Sequence, residues 1–167
     1  MHHTNTTARV LALDLATTTG HALLAAGVIS SGSQHFGHKL KKGQPHPPAG
    51  LQFAQFENWL KERIRDDKPA AIAYEEVFRW MSSSAAHVFC AFRGIMLKEA
   101  IRAGIPCFAY SPATIKKHWT GNGAAKKELM METTLMRFPD LDLTDSNEAD
   151  ALAILFLHLS TLKHATP

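Results

Sequence analysis

Residues Ala8 to Leu15 read ARVLALDL, an apolar run of the kind a buried strand shows, interrupted once by the carboxylate of Asp14. Burying an unpaired carboxylate costs several kcal/mol, so any fold that uses this strand must give Asp14 a partner, hydrogen bonds or a cation. The pattern recurs twice. Ala70 to Val77 (AAIAYEEV) is a strand whose apolar start runs into Glu75 and Glu76. Asp150 lies one turn into a helix read from Ser146 to Lys163, between Ala149 and Ala151-Leu152-Ala153. Clustered carboxylates repel one another, and a divalent cation relieves that repulsion. Hard oxygen ligands suit Mg²⁺ or Mn²⁺, and two such ions about 3.5–4 Å apart serve phosphodiester hydrolysis by activating water and stabilising the leaving oxygen. One carboxylate alone would as readily cap an element or pair with Lys or Arg. Two strand ends and one apolar helix together favour a site.

The remaining elements follow from periodicity and turn chemistry. Gly20 to Ile29 and the more polar Ser30 to Lys39 continue from the first strand as an antiparallel meander, with turns expected at Thr17–Gly20 and Ser30–Ser33. Lys41 to Gly50 is a proline-rich loop, and Leu51 to Arg65 an amphipathic helix. Ser82 to Ser84 can cap a helix running to Ala103 and stopped by Gly104; Ile105 to Tyr110 is a further strand. Pro112 opens a short helix, followed by a loop from Thr120 to Ala125 and helices from Ala125 to Arg137 and Ser146 to Lys163. Three antiparallel strands followed by βαβ units predict an α/β domain, a mixed five-stranded sheet flanked by helices. The 167 residues suit one domain over 1–167, with the polar residues 1–7 expected to be disordered. Cys90 and Cys107 cannot build a disulfide framework, and no stretch reads as a signal peptide or membrane span, so a cytoplasmic location is expected. A net charge of +3 permits nucleic-acid binding without demanding it.

Cations and aromatics gather around one loop. Lys116, Lys117, His118 and Trp119 precede Gly121 and Gly123, and Lys126 and Lys127 follow. Phosphates are held by such point charges, and exposed aromatics stack on unpaired bases; otherwise this is a solvated helix face with Trp119 in the core. Phe78, Arg79, Trp80 and Met81 form an apolar and basic tip after the Glu75 strand, suited to DNA contact or to packing at a dimer interface. His35 and His38 would point to opposite faces of a strand, which excludes a zinc site. His87 faces a partner helix, DNA or the core, His158 packs in the helix bundle, and Met130, Met131 and Met136 read as core filler. Asp14 to Gly20 (DLATTTG) also resembles the first phosphate loop of the actin and sugar-kinase group, but no glycine-rich second loop appears, so no nucleotide cofactor is expected.

Read in order, LALDLATTTGHAL, AYEEVF, TIKKHWTGNGAAKKE and NEADALAILFLH resemble the RuvC family of Holliday-junction resolvases, its phage and prophage branch above all, from about Val10 to His158. The resemblance implies a ribonuclease H-like fold, a homodimer, and nicking of branched DNA such as four-way junctions with Mg²⁺, or Mn²⁺ in its place. It implies metal binding by Asp14, Glu75 and Asp150, base stacking by Phe78, and phosphate contact and catalysis at Lys116 and Lys127; Arg79 and Lys117, read from their charge beside these positions, are further expected DNA contacts. Glu76, on the opposite strand face, receives no metal. Two departures stand out. Asp14-Leu15-Ala16 replaces the Asp-Pro-Gly usual in bacterial members, and Asn147 stands where they carry Asp or His. Asn147 and Asp150 share a helix face, so its carbonyl oxygen is a candidate fourth ligand, with Glu148 and Asp145 as the other candidates. The expected function is a crossover junction endodeoxyribonuclease; the competing readings are a metal-free branched-DNA binding module and a small actin-like phosphotransferase.

Overall fold

The computed structural model describes residues 9–37, 50–77, 83–143 and 145–164. Phe78, Arg79, Trp80, His38 and the expected disorder of 1–7 lie outside them. The first three strands are β1 (Val10–Asp14), β2 (Thr18–Ala25) and β3 (Val28–His35); β4 (Ala71–Glu75) and β5 (Cys107–Tyr110) follow. They form one mixed sheet in the order β3-β2-β1-β4-β5. β1 pairs antiparallel with β2 and β2 with β3, whereas β4 runs parallel to both β1 and β5. The expected α/β architecture is therefore present.

Central β1 explains its own composition: with helices over both faces, nearly every position must be apolar. Leu11 and Leu13 join Phe56 and Leu60 of α1 (Leu51–Asp67) and Phe92 and Met96 of α2 (Ser83–Ala103). The Phe56 and Phe92 rings stack with centroids 4.1 Å apart, which locks α1 onto α2. Val10 and Ala12 turn to the other face, under α3 (Pro112–Thr120), α4 (Lys127–Arg137) and α5 (Ser146–His164), where Ile115, Trp119, Met130 and Leu152 fill a second core. Among the described residues no helix is long and apolar enough to cross a membrane.

Four details differ from the reading of the sequence or resolve it. The β2–β3 turn is not at Ser30–Ser33 but at Ala26–Gly27, where Ala25 pairs with Val28 and both turn residues have positive φ, 50° and 79°. That is the conformation a two-residue hairpin requires, and Gly27 supplies it without strain. Ser30 to Ser33 lie inside β3 instead. Trp119 belongs to the core, its Nε1 donating to Thr134 Oγ1 at 3.0 Å beneath the Arg137 guanidinium. Met136 is 78% exposed and fills no core, because it sits about 240° around α4 from buried Met130. His158 is buried against the edge strand rather than within a helix bundle, with Nδ1 2.7 Å from the Tyr110 hydroxyl and its ring beside Phe108.

Candidate active site

Strand register brings the first two carboxylates together. β1 and β4 are parallel with Leu13 opposite Tyr74, so Asp14 and Glu75, the next residues, lie side by side at the strands' C-terminal ends. Alternation sends both side chains to the face of Ala12 and Ala73, which α5 covers. The third arrives on α5, whose Ala149, Ala151 and Ala153 are fully buried. Small residues on both partners let the helix approach closely. The tightest point is Gly20, the antiparallel partner of Asp14, where an added Cβ would overlap the backbone carbonyl of Asn147. The first turn of α5 thus rests on the strand position beside Asp14, and Asp150 follows it toward the pair.

The charges record this proximity. Burial pushes Asp14 well above the usual carboxylate range, and Asp150, Glu75 and Asp145 push it further against the opposing Lys127. Burial and then Asp150 raise Glu75 to about 7, with Lys116 opposing. Asp150 is raised to about 6, chiefly by burial and partly by Asp145, while Lys116 and Lys127 pull it down. Three acidic groups and two ammonium groups, from β1, β4, α3, α4 and α5, therefore act on one another. Among the described residues no three acidic, His or Cys side chains are already closed into a metal cage. The chemistry of the donor set nonetheless fits a divalent cation: the donors are oxygens only and clustered, and burial and repulsion raise their carboxyls, a penalty on the charged forms that such an ion would relieve.

The candidates for a fourth ligand separate. Asp145 is the N-cap of α5, its Oδ1 accepting the backbone N–H of Asn147 at 2.9 Å and of Glu148 at 3.1 Å, and the Ser33 hydroxyl at 2.7 Å. Although burial alone would raise it, these bonds and one from the Asn147 side-chain amide hold Asp145 below its ordinary value. Glu148 is 2% exposed and points to β3, where it accepts from Ser31 Oγ at 2.7 Å. Neither serine contact is foreseen in the sequence, although Asp145-x-x-Glu148 has the spacing that marks a helix start.

Other residues sort as follows. Lys116 acts on Glu75 and Asp150, whereas Lys117, about 100° further around α3, lines a shallow surface cleft with Thr114, His118 and Gly123. Glu76 faces away from the cluster, accepting from the Tyr74 hydroxyl at 3.0 Å and from Arg93 Nε at 2.9 Å. His35 and His87 are exposed.

Similarity to known proteins agrees with this geometry. The family model for "Crossover junction endodeoxyribonuclease RuvC" matches residues 16–158. The protein of that name from Anaeromyxobacter sp. (strain K) is 42% identical over 72% of this chain, which spans 64% of that relative's length. The one from Myxococcus xanthus is 33% identical over 80% of this chain and 71% of its own. A solved structure described as T. thermophilus RuvC in complex with Holliday junction substrate superposes with a TM-score of 0.73 at 26% identity, covering 95% of this chain and 97% of that one. The mixed sheet and flanking helices are accordingly the ribonuclease H-like arrangement. With the match extending from Ala16 to His158, the chain belongs to the RuvC family of crossover junction endodeoxyribonucleases.

Proposed function

We propose that this chain is a Mg²⁺-dependent endonuclease that resolves four-way DNA junctions and related branched DNA by symmetric phosphodiester nicking, with Mn²⁺ as a substitute ion. The observation that carries the reading is the convergence of Asp14, Glu75 and Asp150 from two central strand ends and one helix, with their carboxyls pushed upward by burial and mutual repulsion. Family membership supports it, as does the likeness to a RuvC solved with Holliday junction substrate.

In this reading Asp14, Glu75 and Asp150 are the metal-binding carboxylates, and the side-chain carbonyl oxygen of Asn147 adds a neutral ligand. A bound divalent cation would supply Lewis-acid activation of the phosphodiester and of the attacking water. The protein's own groups do the rest. Lys127, at the first position of α4, meets negative charge developing on phosphate, and Lys116 offers a second ammonium to the same group. Lys117, Phe78 and Arg79 contact the DNA beyond the cleavage point. A homodimer suits the two-fold symmetry of a four-way junction, each protomer cutting one strand. The candidate dimer face is on α2, where Cys90, Gly94 and Ile101 follow one another along one side and Ile101 is 81% exposed. A cytoplasmic location is part of this reading.

The test uses purified protein with labelled four-way, flap and linear DNA, with and without Mg²⁺. Nicking of branched substrates only in Mg²⁺ is expected. Junction binding without nicking in Mg²⁺ would instead identify a binding module, and a thermal shift on adding ATP would identify a phosphotransferase.

A further inference from the structure

We infer that Ser31 and Ser33 of β3, acting through Glu148 and Asp145, are positioning residues that seat the first turn of α5 and so set where Asp150 stands relative to Asp14 and Glu75. This rests on the proposed nuclease function and concerns the same site. Ser31 and Ser33 alternate with Gly32 on β3, so both hydroxyls reach the face under α5. Asp145 and Glu148 are separated by three positions, about one helical turn, and receive those hydroxyls at 2.7 Å each. Two bonds from two strand positions to two helix positions fix the helix in both translation and rotation.

The contact is drawn tight by the notch at Gly20, which admits the Asn147 backbone carbonyl against β2. Asp145 completes the seat by capping the backbone N–H groups of Asn147 and Glu148 with the same oxygen that accepts from Ser33. From this anchored turn the helix carries Asp150 to the carboxylates of β1 and β4. Glu148, directed at β3, thus acts without coordinating an ion, and what it must supply is a hydrogen-bond acceptor, not a charge. That distinction is testable, because glutamine retains the acceptor and loses the charge.

The experiment compares wild type, Ser31→Ala, Ser31→Ala/Ser33→Ala, Glu148→Ala and Glu148→Gln. Two readouts are taken over a Mg²⁺ titration: junction nicking, and the rise in melting temperature of the DNA-free protein. Loss of groups that orient metal ligands weakens metal binding by about tenfold or more. The serine variants and Glu148→Ala should therefore raise the half-saturating Mg²⁺ concentration about tenfold in both readouts, while Glu148→Gln stays within about twofold of wild type. Glu148→Gln as impaired as Glu148→Ala would overturn the inference, because the charge and not the hydrogen-bond acceptor would then be what Glu148 supplies. Serine variants with an unmoved Mg²⁺ midpoint would overturn it as well. If the double serine variant fails to fold, Ser31→Ala and the Glu148 pair decide alone. Failure of the nuclease reading looks different: wild type itself would not nick.

Discussion

Replacing Glu75 by Gln should make the metal-free protein more stable, not less, and only above the acidic range. Glu75 sits beside Asp150 in a partly buried cluster that holds its carboxyl at about 7, against an ordinary 4.5. Below about pH 4.5 the group is protonated in both folded and unfolded chains and contributes no difference. Between about 4.5 and about 7 the unfolded chain ionises this carboxyl while the folded protein still holds its proton, so wild-type stability falls steadily across that window and the loss is complete above about 7. The interval between 4.5 and about 7 corresponds to about 3 kcal/mol, an upper bound because Glu75 keeps some exposure. Glutamine has nearly the same shape and cannot ionise. In EDTA at pH 8, Glu75→Gln should therefore melt above wild type by up to roughly 6–12 °C, taking about 2–4 °C per kcal/mol for a chain of this size. The gap should close by pH 4. Adding Mg²⁺ at pH 8 should reverse the order, since wild type gains binding energy that the variant lacks. A variant that melts at or below wild type at pH 8, or a gap unchanged between pH 4 and pH 8, would refute the argument from burial and repulsion at Glu75.

Gly20→Ala should destabilise the fold by about 1–3 kcal/mol and impair nicking, because the new methyl meets the Asn147 backbone and displaces α5; denaturant titration and a cleavage assay on the folded fraction check it. Lys116→Ala should lower the cleavage rate at saturating DNA, since Lys116 acts on Glu75 and Asp150; an unchanged rate would remove it from the chemistry. Lys117→Ala should weaken DNA binding and reduce the salt slope by about one, as expected for a lost phosphate contact, and fluorescence anisotropy across a salt series measures this.

The carboxylate cluster is legible in the sequence because each member is a local anomaly, a charge inside an apolar run, and the central place of β1 follows from the same run. What holds the cluster in place is not legible. Ser31 and Ser33 read as a turn, and their partners Glu148 and Asp145 lie more than a hundred residues away, so no local pattern links them. The true turn escapes notice because Ala26 lacks the Asn or Asp character that marks a two-residue hairpin, although Gly27 is present. Met136 is misread for a different reason: three methionines in one helix suggest filler, but helical spacing alone turns Met136 off the face of Met130. Trp119, open between core and base stacking, is settled by a buried hydrogen bond to Thr134 that composition does not reveal.

Whether Asp14 belongs to a metal-binding carboxylate site that cleaves branched DNA is decided by the Asp14→Asn variant. Wild type and variant are incubated with an end-labelled four-way junction in Mg²⁺, and junction affinity is measured in parallel without the ion. Wild type should make paired nicks at symmetric positions, and Asp14→Asn none detectable at equal or tighter junction affinity, since losing a negative charge eases the approach of phosphate. Nicking by Asp14→Asn at the wild-type rate would contradict it.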